Sequence, residues 1–237
     1  MNKPGGTDRN RSFGRLFIVG TPIGNLEDLT FRALKVLEDV PVIACEDTRQ
    51  TRKLLSRYKL TKKLISYFHP KEMQKLPRII KLIKEGNDVA LVSDAGTPGI
   101  SDPGFPLIRE AINQGIHISV IPGVSALTAA LSGGGLPTHR FIFLGFAPSK
   151  KTAAKKLLES LKQETATLVF FLPPRKLLPF LQEIKDTLGD RQVVIAREMT
   201  KIYEEFLRGT PEELMDRIDE RILRGEATVL IQGKPKA

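Results

Sequence analysis

Apolar residues along this chain fall into short runs separated by stretches of helical period. "RLFIVG" (residues 15–20), "PVIAC" (41–45), "KLISYF" (63–68), "DVALVSD" (88–94) and "HISVIPG" (117–123) each carry a compact apolar core of strand length. Between them, apolar positions recur every three or four residues. Phe31, Ala33, Leu34 and Leu37 lie on one side of a helix that Thr30 is placed to cap. A basic helix begins near Thr48, "LPRIIKLIKEG" ends at Gly86, "FPLIREAINQG" ends at Gly115, and "VSALTAALSGGG" runs into glycine. This alternation with short loops predicts a mainly parallel sheet covered by helices.

The pattern loosens after residue 146, where "GFAPSKK" reads as a linker. "TLVFFL" and "RQVVIARE" are buried strands on either side of a helix over 176–188, and "EEFLRGT" is a shorter strand. Thr210-Pro211-Glu212-Glu213 is a capping-box helix start, and "ATVLIQG" is a closing strand. Extended segments follow one another here without a crossover helix, so a mixed sheet is expected. The expected organisation is a disordered basic tail over 1–13, an N-terminal α/β domain over 14–146 and a C-terminal α/β domain over 147–237.

Composition narrows the class. A chain of 237 residues with 41% hydrophobic content is globular and long enough for a sizeable core. The single cysteine, Cys45, excludes an internal disulfide framework and fits a reducing compartment. Residues 1–15 carry no apolar signal-peptide core. The most apolar longer stretch, 118–131, is interrupted by Pro122 and Gly123, so no bilayer span is expected; with the cysteine usage, the expected location is cytoplasmic. The formal net charge is +10, with basic clusters at Arg9, Arg11 and Arg15; at Arg57, Lys59, Lys62 and Lys63; at Lys150, Lys151, Lys155 and Lys156; and at Arg175 and Lys176. That balance suits a polyanion, with nucleic acid ahead of membrane, although lysines kept for solubility give the same count. No aromatic RNA-binding strand motif and no zinc-finger spacing occur.

Candidate chemistry sits at the strand ends. "LVSDAGTPGISDPG" (91–104) follows its apolar run with Asp94 and then with glycines and prolines that bend the main chain. "VGTPIGN" (19–25) follows the first strand and is neither a G-x-G-x-x-G nor a Walker A loop. Glu46 and Asp47 end the second strand, a placement that imitates the ribose-binding acid of a dinucleotide enzyme and leaves that class open. "IPGVSAL" (121–127) is a fourth bent loop. Four such loops at one sheet edge suggest a ligand trough. Glu46, Asp47, Glu198 and Lys201 are candidates for proton transfer, and Arg49 and Arg197 for holding phosphate or orienting a carboxylate. Each has a salt bridge as its ordinary alternative. His69 and His139 read as structural, and no metal site is expected.

"LFIVGTPIGNLEDLTFRAL", "ACEDTR", "VALVSDAGTPGISDPG", "PGVSALTAAL", "GLPTHRFIFLGFAP" and "AREMTK" occur in one order over nearly the whole chain. Together they resemble the tetrapyrrole methylase superfamily, and within it the branch that methylates small-subunit ribosomal RNA. The resemblance implies a two-domain α/β fold, with a mainly parallel first sheet, a mixed second sheet and a cofactor cleft between the domains. It implies S-adenosylmethionine as cofactor and a cytidine ribose 2′-hydroxyl of 16S rRNA as target, in the small ribosomal subunit. It also implies a homodimer. By the same resemblance Pro22, Asp94, Gly96, Thr97, Ile100, Ser125, Ala126 and Leu172 contact the cofactor. Tetrapyrrole-modifying members typically carry G-x-G-P-G-D where this chain has "VGTPIGN". Two segments depart from the family pattern: "FHPKEMQ" lacks an Asn after the His, and "FFLPPRK" has Leu172 in place of an acid. A tetrapyrrole or corrinoid-precursor methyltransferase and a catalytically silent RNA-binding assembly protein are the alternatives.

Overall fold

Strands β1 (Leu16–Val19), β2 (Val42–Cys45), β3 (Lys63–Ser66), β4 (Val89–Val92) and β5 (Ile118–Ile121) form one parallel sheet in the order β3-β2-β4-β1-β5. The structure is a computed structural model, and it describes residues 13–235. Helices α1 (Phe31–Asp39), α2 (Thr48–Arg57), α3 (Glu72–Lys84) and α4 (Phe105–Asn113) follow the first four strands in turn. On one face, Ala33 and Leu37 of α1 and Leu54 and Leu55 of α2 pack with Ile43, Cys45, Ala90 and Val92. On the other, Ile79 and Ile83 of α3 and Leu107 and Ala111 of α4 pack with Val42, Ala44, Val89 and Leu91. Successive strand residues point to opposite faces, and both faces are covered, so the strands read as unbroken apolar runs. The expected cap is in place: the Thr30 side chain accepts the Ala33 amide at 3.0 Å.

This topology creates a crevice. Strands β1 and β2 send the chain to helices on one face, while β4, which lies between them, sends it to α4 on the opposite face. Neighbouring connections therefore diverge at the carboxyl end of β4. Doubly wound sheets take their ligands at such a point.

The second unit contains α5 (Ala126–Gly134), β6 (Phe141–Phe146), α6 (Lys151–Ser160), β7 (Thr167–Leu172), α7 (Leu177–Leu188), β8 (Val193–Arg197), β9 (Glu205–Gly209), α8 (Pro211–Arg217) and β10 (Ala227–Ile231). Its sheet has the order β6-β7-β10-β8-β9, with β6 and β7 parallel and the other pairs antiparallel. Helices α6, α7 and α8 cover one face through Leu158, Leu177, Phe180, Leu181, Ile184 and Leu214. Helix α5 lies on the other face against β8 and β10, where Gly133 and Gly134 leave space for the Phe206 ring and for Leu230. The capping box at Thr210 and Glu213 is formed.

Compact packing divides the chain between Val124 and Ser125, where the sequence pattern suggests 146–147. Strand β6 completes the second sheet by pairing with β7, and α5 is buried on that same sheet. Both partners lie far along the chain, so the local pattern carries no trace of them. Strand β6 and helix α6 are also absent from the elements read in the sequence. Helix α6 is hidden by its lysines: its buried stripe is narrow, with Ala154 and Leu158 at its centre. Residues 1–12 of the expected basic tail lie outside the described residues. Among the described residues no helix is long and apolar enough to cross a membrane.

Candidate active site

Two loops meet at the carboxyl ends of β1 and β4. Thr21 is only 2% exposed and pairs with Gly96 through both backbone bonds, at 2.9 and 3.1 Å. Its hydroxyl donates to the Ser93 and Gly96 carbonyls at 3.1 and 3.3 Å. Sequence reading singles out Pro22 next door and misses Thr21, although a hydroxyl of strand-former shape at a strand exit was its one visible signal. Gly96 has φ +91°, a conformation that costs an L side chain strain. The β1 and β5 ends also meet main chain to main chain: a Cβ on Gly20 would lie 2.7 Å from the Gly123 nitrogen. The crevice wall is therefore mostly backbone, closely packed and rich in amide and carbonyl groups.

Acids cluster on this floor. Cys45 and Val92 are partners in the β2–β4 register, so the next residues of each strand emerge side by side. The Asp47 amide donates to Asp94 Oδ1 at 2.9 Å. Asp47 itself caps α2, accepting the Arg49 amide at 2.8 Å, and forms a 2.7 Å ion pair with the Arg49 guanidinium. Those bonds hold the Asp47 carboxyl down at about 2. Glu46 goes the other way: partial burial, then the neighbouring Asp94 and Asp102 charges, raise it. Asp94 is raised by burial and, in smaller part, by Asp47. Asp102, from the same loop as Asp94, is raised to about 6, first by burial and then by Asp94, with Ser93 pulling in the opposite direction. Four carboxylates thus crowd one crevice against one arginine, and the crevice favours a cation.

The second group of candidates belongs to the other unit and has a different character. Arg197 is 4% exposed and spends its guanidinium on the carbonyls of Tyr203, Arg221 and Arg224 and on Glu205. Glu198, with φ +47°, accepts the Glu226 amide and the Lys201 ammonium, both at 2.9 Å. Lys201 also reaches Glu226 at 2.9 Å. Burial works against both charges, but these bonds together outweigh it, so Glu198 is lowered and Lys201 raised. The network pins the turn after β8.

The structure thus brings Glu46, Asp47, Arg49, Asp94 and Gly96 together, with Pro22 and Thr97 in the two paired loops. Ile100 stands further along the second loop and is 47% exposed. Asp102, raised to about 6 beside Asp94, joins the acids although the sequence reading passes over it. Arg197, Glu198 and Lys201 form their own network, Ser125 and Ala126 start α5, and Leu172 ends β7.

The model of the tetrapyrrole (corrin/porphyrin) methylases matches residues 15–215. The chain belongs to the tetrapyrrole methylase family. This tetrapyrrole methylase is 48% identical over 221 residues to a protein of Thermotoga maritima named ribosomal RNA small subunit methyltransferase I, covering 93% of this chain and 99% of that one. A protein of Bacillus subtilis with the same name is 42% identical over 220 residues, covering 93% and 75%. Among solved structures, a cobalt precorrin-4 methyltransferase superposes with a TM-score of 0.69 at 21% identity, covering 92% of this chain and 94% of its own. A diphthine synthase gives 0.74 at 17%, covering 93% and 90%. These last two likenesses show the fold. S-adenosylmethionine is the methyl donor of the family. The crevice suits it: a sulfonium and an ammonium against one carboxylate give that molecule net positive charge, and the floor is acidic. A dinucleotide's pyrophosphate would meet the same carboxylates as repulsion, which disfavours the dinucleotide class.

Proposed function

We propose that the protein transfers a methyl group from S-adenosylmethionine to the 2′-hydroxyl of a cytidine in 16S rRNA. The acidic, backbone-walled crevice at the end of β4 carries this reading on the structural side. The names of the Thermotoga and Bacillus relatives carry the substrate class. When bound, the cofactor supplies an electrophilic methyl group, so positioning accounts for much of the rate. Asp94 holds the second loop against the Asp47 amide and presents carboxylate to the cation. The Thr21 clamp keeps the two loops in register. Glu46 is the group suited to receive the hydroxyl's proton: burial and the neighbouring acids raise its carboxyl, which makes it a better base than Asp47, and no ion pair holds it among the described residues. Asp47 is committed to Arg49 and stays ionised. Arg49 keeps an 82% exposed side chain while so anchored and can meet a phosphate. Arg197, Glu198 and Lys201 shape the turn after β8. Pro22, Gly96, Thr97 and Ile100 are proposed cofactor contacts; Ser125, Ala126 and Leu172 are proposed as such on the family resemblance alone. The same reading makes the protein a cytoplasmic homodimer acting on the small ribosomal subunit.

Radiolabelled S-adenosylmethionine, given with small subunits from cells lacking the endogenous enzyme, tests this. Label at a cytidine ribose is the expected result. Label on a corrin or porphyrin precursor instead, or RNA binding with no label, would replace the proposal with the corresponding alternative.

A further inference from the structure

Helix α2 starts at the carboxylate crevice, because its cap, Asp47, is one of the crevice acids. Its buried side is Thr51, Leu54 and Leu55. Its exposed side holds Arg49, Arg52, Lys53 and Arg57, all within one arc of about 140° at 100° per residue, with no acid in the helix. Over ten residues the helix carries this arc roughly 15 Å away from the crevice. Arg52 and Lys53 have no ion-pair partner among the described residues. At its far end α2 is tied to the turn that precedes α1: Arg57 pairs with Glu27 at 3.7 Å, and the Tyr58 hydroxyl donates to the Leu26 carbonyl.

That turn leads into Phe31, the first residue of α1. The apolar spacing places Phe31 on the packed side with Ala33, Leu34 and Leu37, but the structure turns it away from them, 95% exposed, because at 100° per residue it stands about 160° from Ala33. Its backbone is fixed by the Thr30 cap, and the buried side of its helix is supplied by Ala33 and Leu37. Folding gives no reason for a bare aromatic ring here. Arg32 and Lys35 flank it on the exposed side, again without ion-pair partners among the described residues. An exposed aromatic ring among unpaired cations is the combination that binds single-stranded nucleic acid: cations take phosphates and the ring takes an unpaired base.

The lysines of α6 contrast with this. Lys151 is bound at 2.9 Å to Glu183 of α7, whose side chain is buried, and Lys155 faces Glu159 at 4.0 Å. Those two lysines are paired within the protein, as Arg49 and Arg57 of α2 are with Asp47 and Glu27, whereas Arg52 and Lys53 at the middle of the α2 arc are left for a partner.

We propose that the exposed arc of α2 is the track for the single-stranded rRNA segment that carries the target ribose, and that Phe31 stacks on an unpaired base of that segment beyond the far end of the helix. This rests on the methyltransferase reading for the identity of the RNA, but the binding surface can be tested without catalysis. RNA binding is measured by filter retention over a range of salt, using an unpaired small-subunit rRNA fragment that the wild type retains, or whole subunits. Arg52→Glu/Lys53→Glu is compared with Arg78→Glu/Lys81→Glu, an equal charge change on α3, on the opposite face of the sheet. The α2 variant should lower affinity at least tenfold at low salt and flatten the log–log salt slope by about 1.4, two contacts at roughly 0.7 each. The α3 variant should do neither. Phe31→Ala should lower affinity roughly five- to a hundredfold with no change in salt slope, as loss of one stacked base requires. S-adenosylmethionine affinity should stay unchanged in all variants. If the glutamates impair folding, Arg52→Gln/Lys53→Gln gives the same test with half the charge change. Equal losses on both faces, or none on α2, overturn the proposal. So does a Phe31→Ala protein that binds RNA normally but changes mass by light scattering, since the ring would then face a second copy. Failure of methyl transfer with the α2-specific binding loss intact would count against the proposed activity and leave the track standing.

Discussion

Asp102 should make the protein less stable as the solution becomes more alkaline, and Asp102→Asn should remove that effect. Burial beside Asp94 raises the Asp102 carboxyl from 3.8 to about 6. A folded-state value above the unfolded one means the folded protein holds this proton more tightly. The stabilising contribution is therefore full below about pH 4 and is lost as the pH rises through about 6. At about 1.4 kcal/mol for each tenfold change in proton affinity, that rise sets a ceiling of about 3 kcal/mol. The side chain is only partly buried, and solvent screening brings the expected figure to about 1–1.5 kcal/mol. Asparagine has nearly the same shape and cannot ionise, so it stands in for the protonated acid. Thermal unfolding of the wild type and Asp102→Asn should coincide at pH 4. At pH 8 the variant should melt higher by roughly 2–6 °C, from about 2–4 °C per kcal/mol in a chain of this size. Parallel melting curves across the range would refute the claim that its surroundings raise the Asp102 carboxyl. Saturating S-adenosylmethionine should narrow the gap at pH 8, because a bound cation offsets the repulsion that the acids impose on one another.

Three further outcomes are expected. Asp94→Ala should weaken S-adenosylmethionine binding by roughly 1.5–3 kcal/mol while unfolding stays cooperative, and calorimetry showing unchanged affinity in a folded variant would sink the assignment. Thr21→Val keeps the branched shape but leaves the Ser93 carbonyl without that hydroxyl donor; a loss of about 1 kcal/mol in stability with a larger relative loss in cofactor affinity is expected, and amide exchange at Gly96 should quicken. Lys151→Gln removes the cation paired with the buried Glu183 carboxylate and should lower the urea midpoint without changing the salt slope of RNA binding; a flattened slope with no stability loss would return this lysine to the RNA surface.

Most of the first sheet was legible in the sequence because the signals are local. A buried parallel strand is a run of Val, Ile and Leu, a capped helix begins at Thr30, and glycine follows helices that must stop. The motifs at 19–25, 46–49 and 93–104 were legible for the same reason: bent backbone and acids at strand ends stand out against apolar runs. Their ordered recurrence also carried the family. Tertiary structure alone decided the rest. The strand order β3-β2-β4-β1-β5 brings Asp47 and Asp94 into contact from residues forty-seven apart, and no local pattern encodes that register. The pairing of Thr21 with Gly96 and the membership of β6 and α5 in the second unit are long-range choices of the same kind. Charge was the least legible property. A lysine or arginine in the sequence is one unit of charge wherever it stands, but what that charge does depends on the neighbour folding supplies. Glu183 pairs with Lys151 at the surface, four main-chain and side-chain oxygens absorb Arg197, and Arg52 and Lys53 are left facing solvent without an ion pair among the described residues.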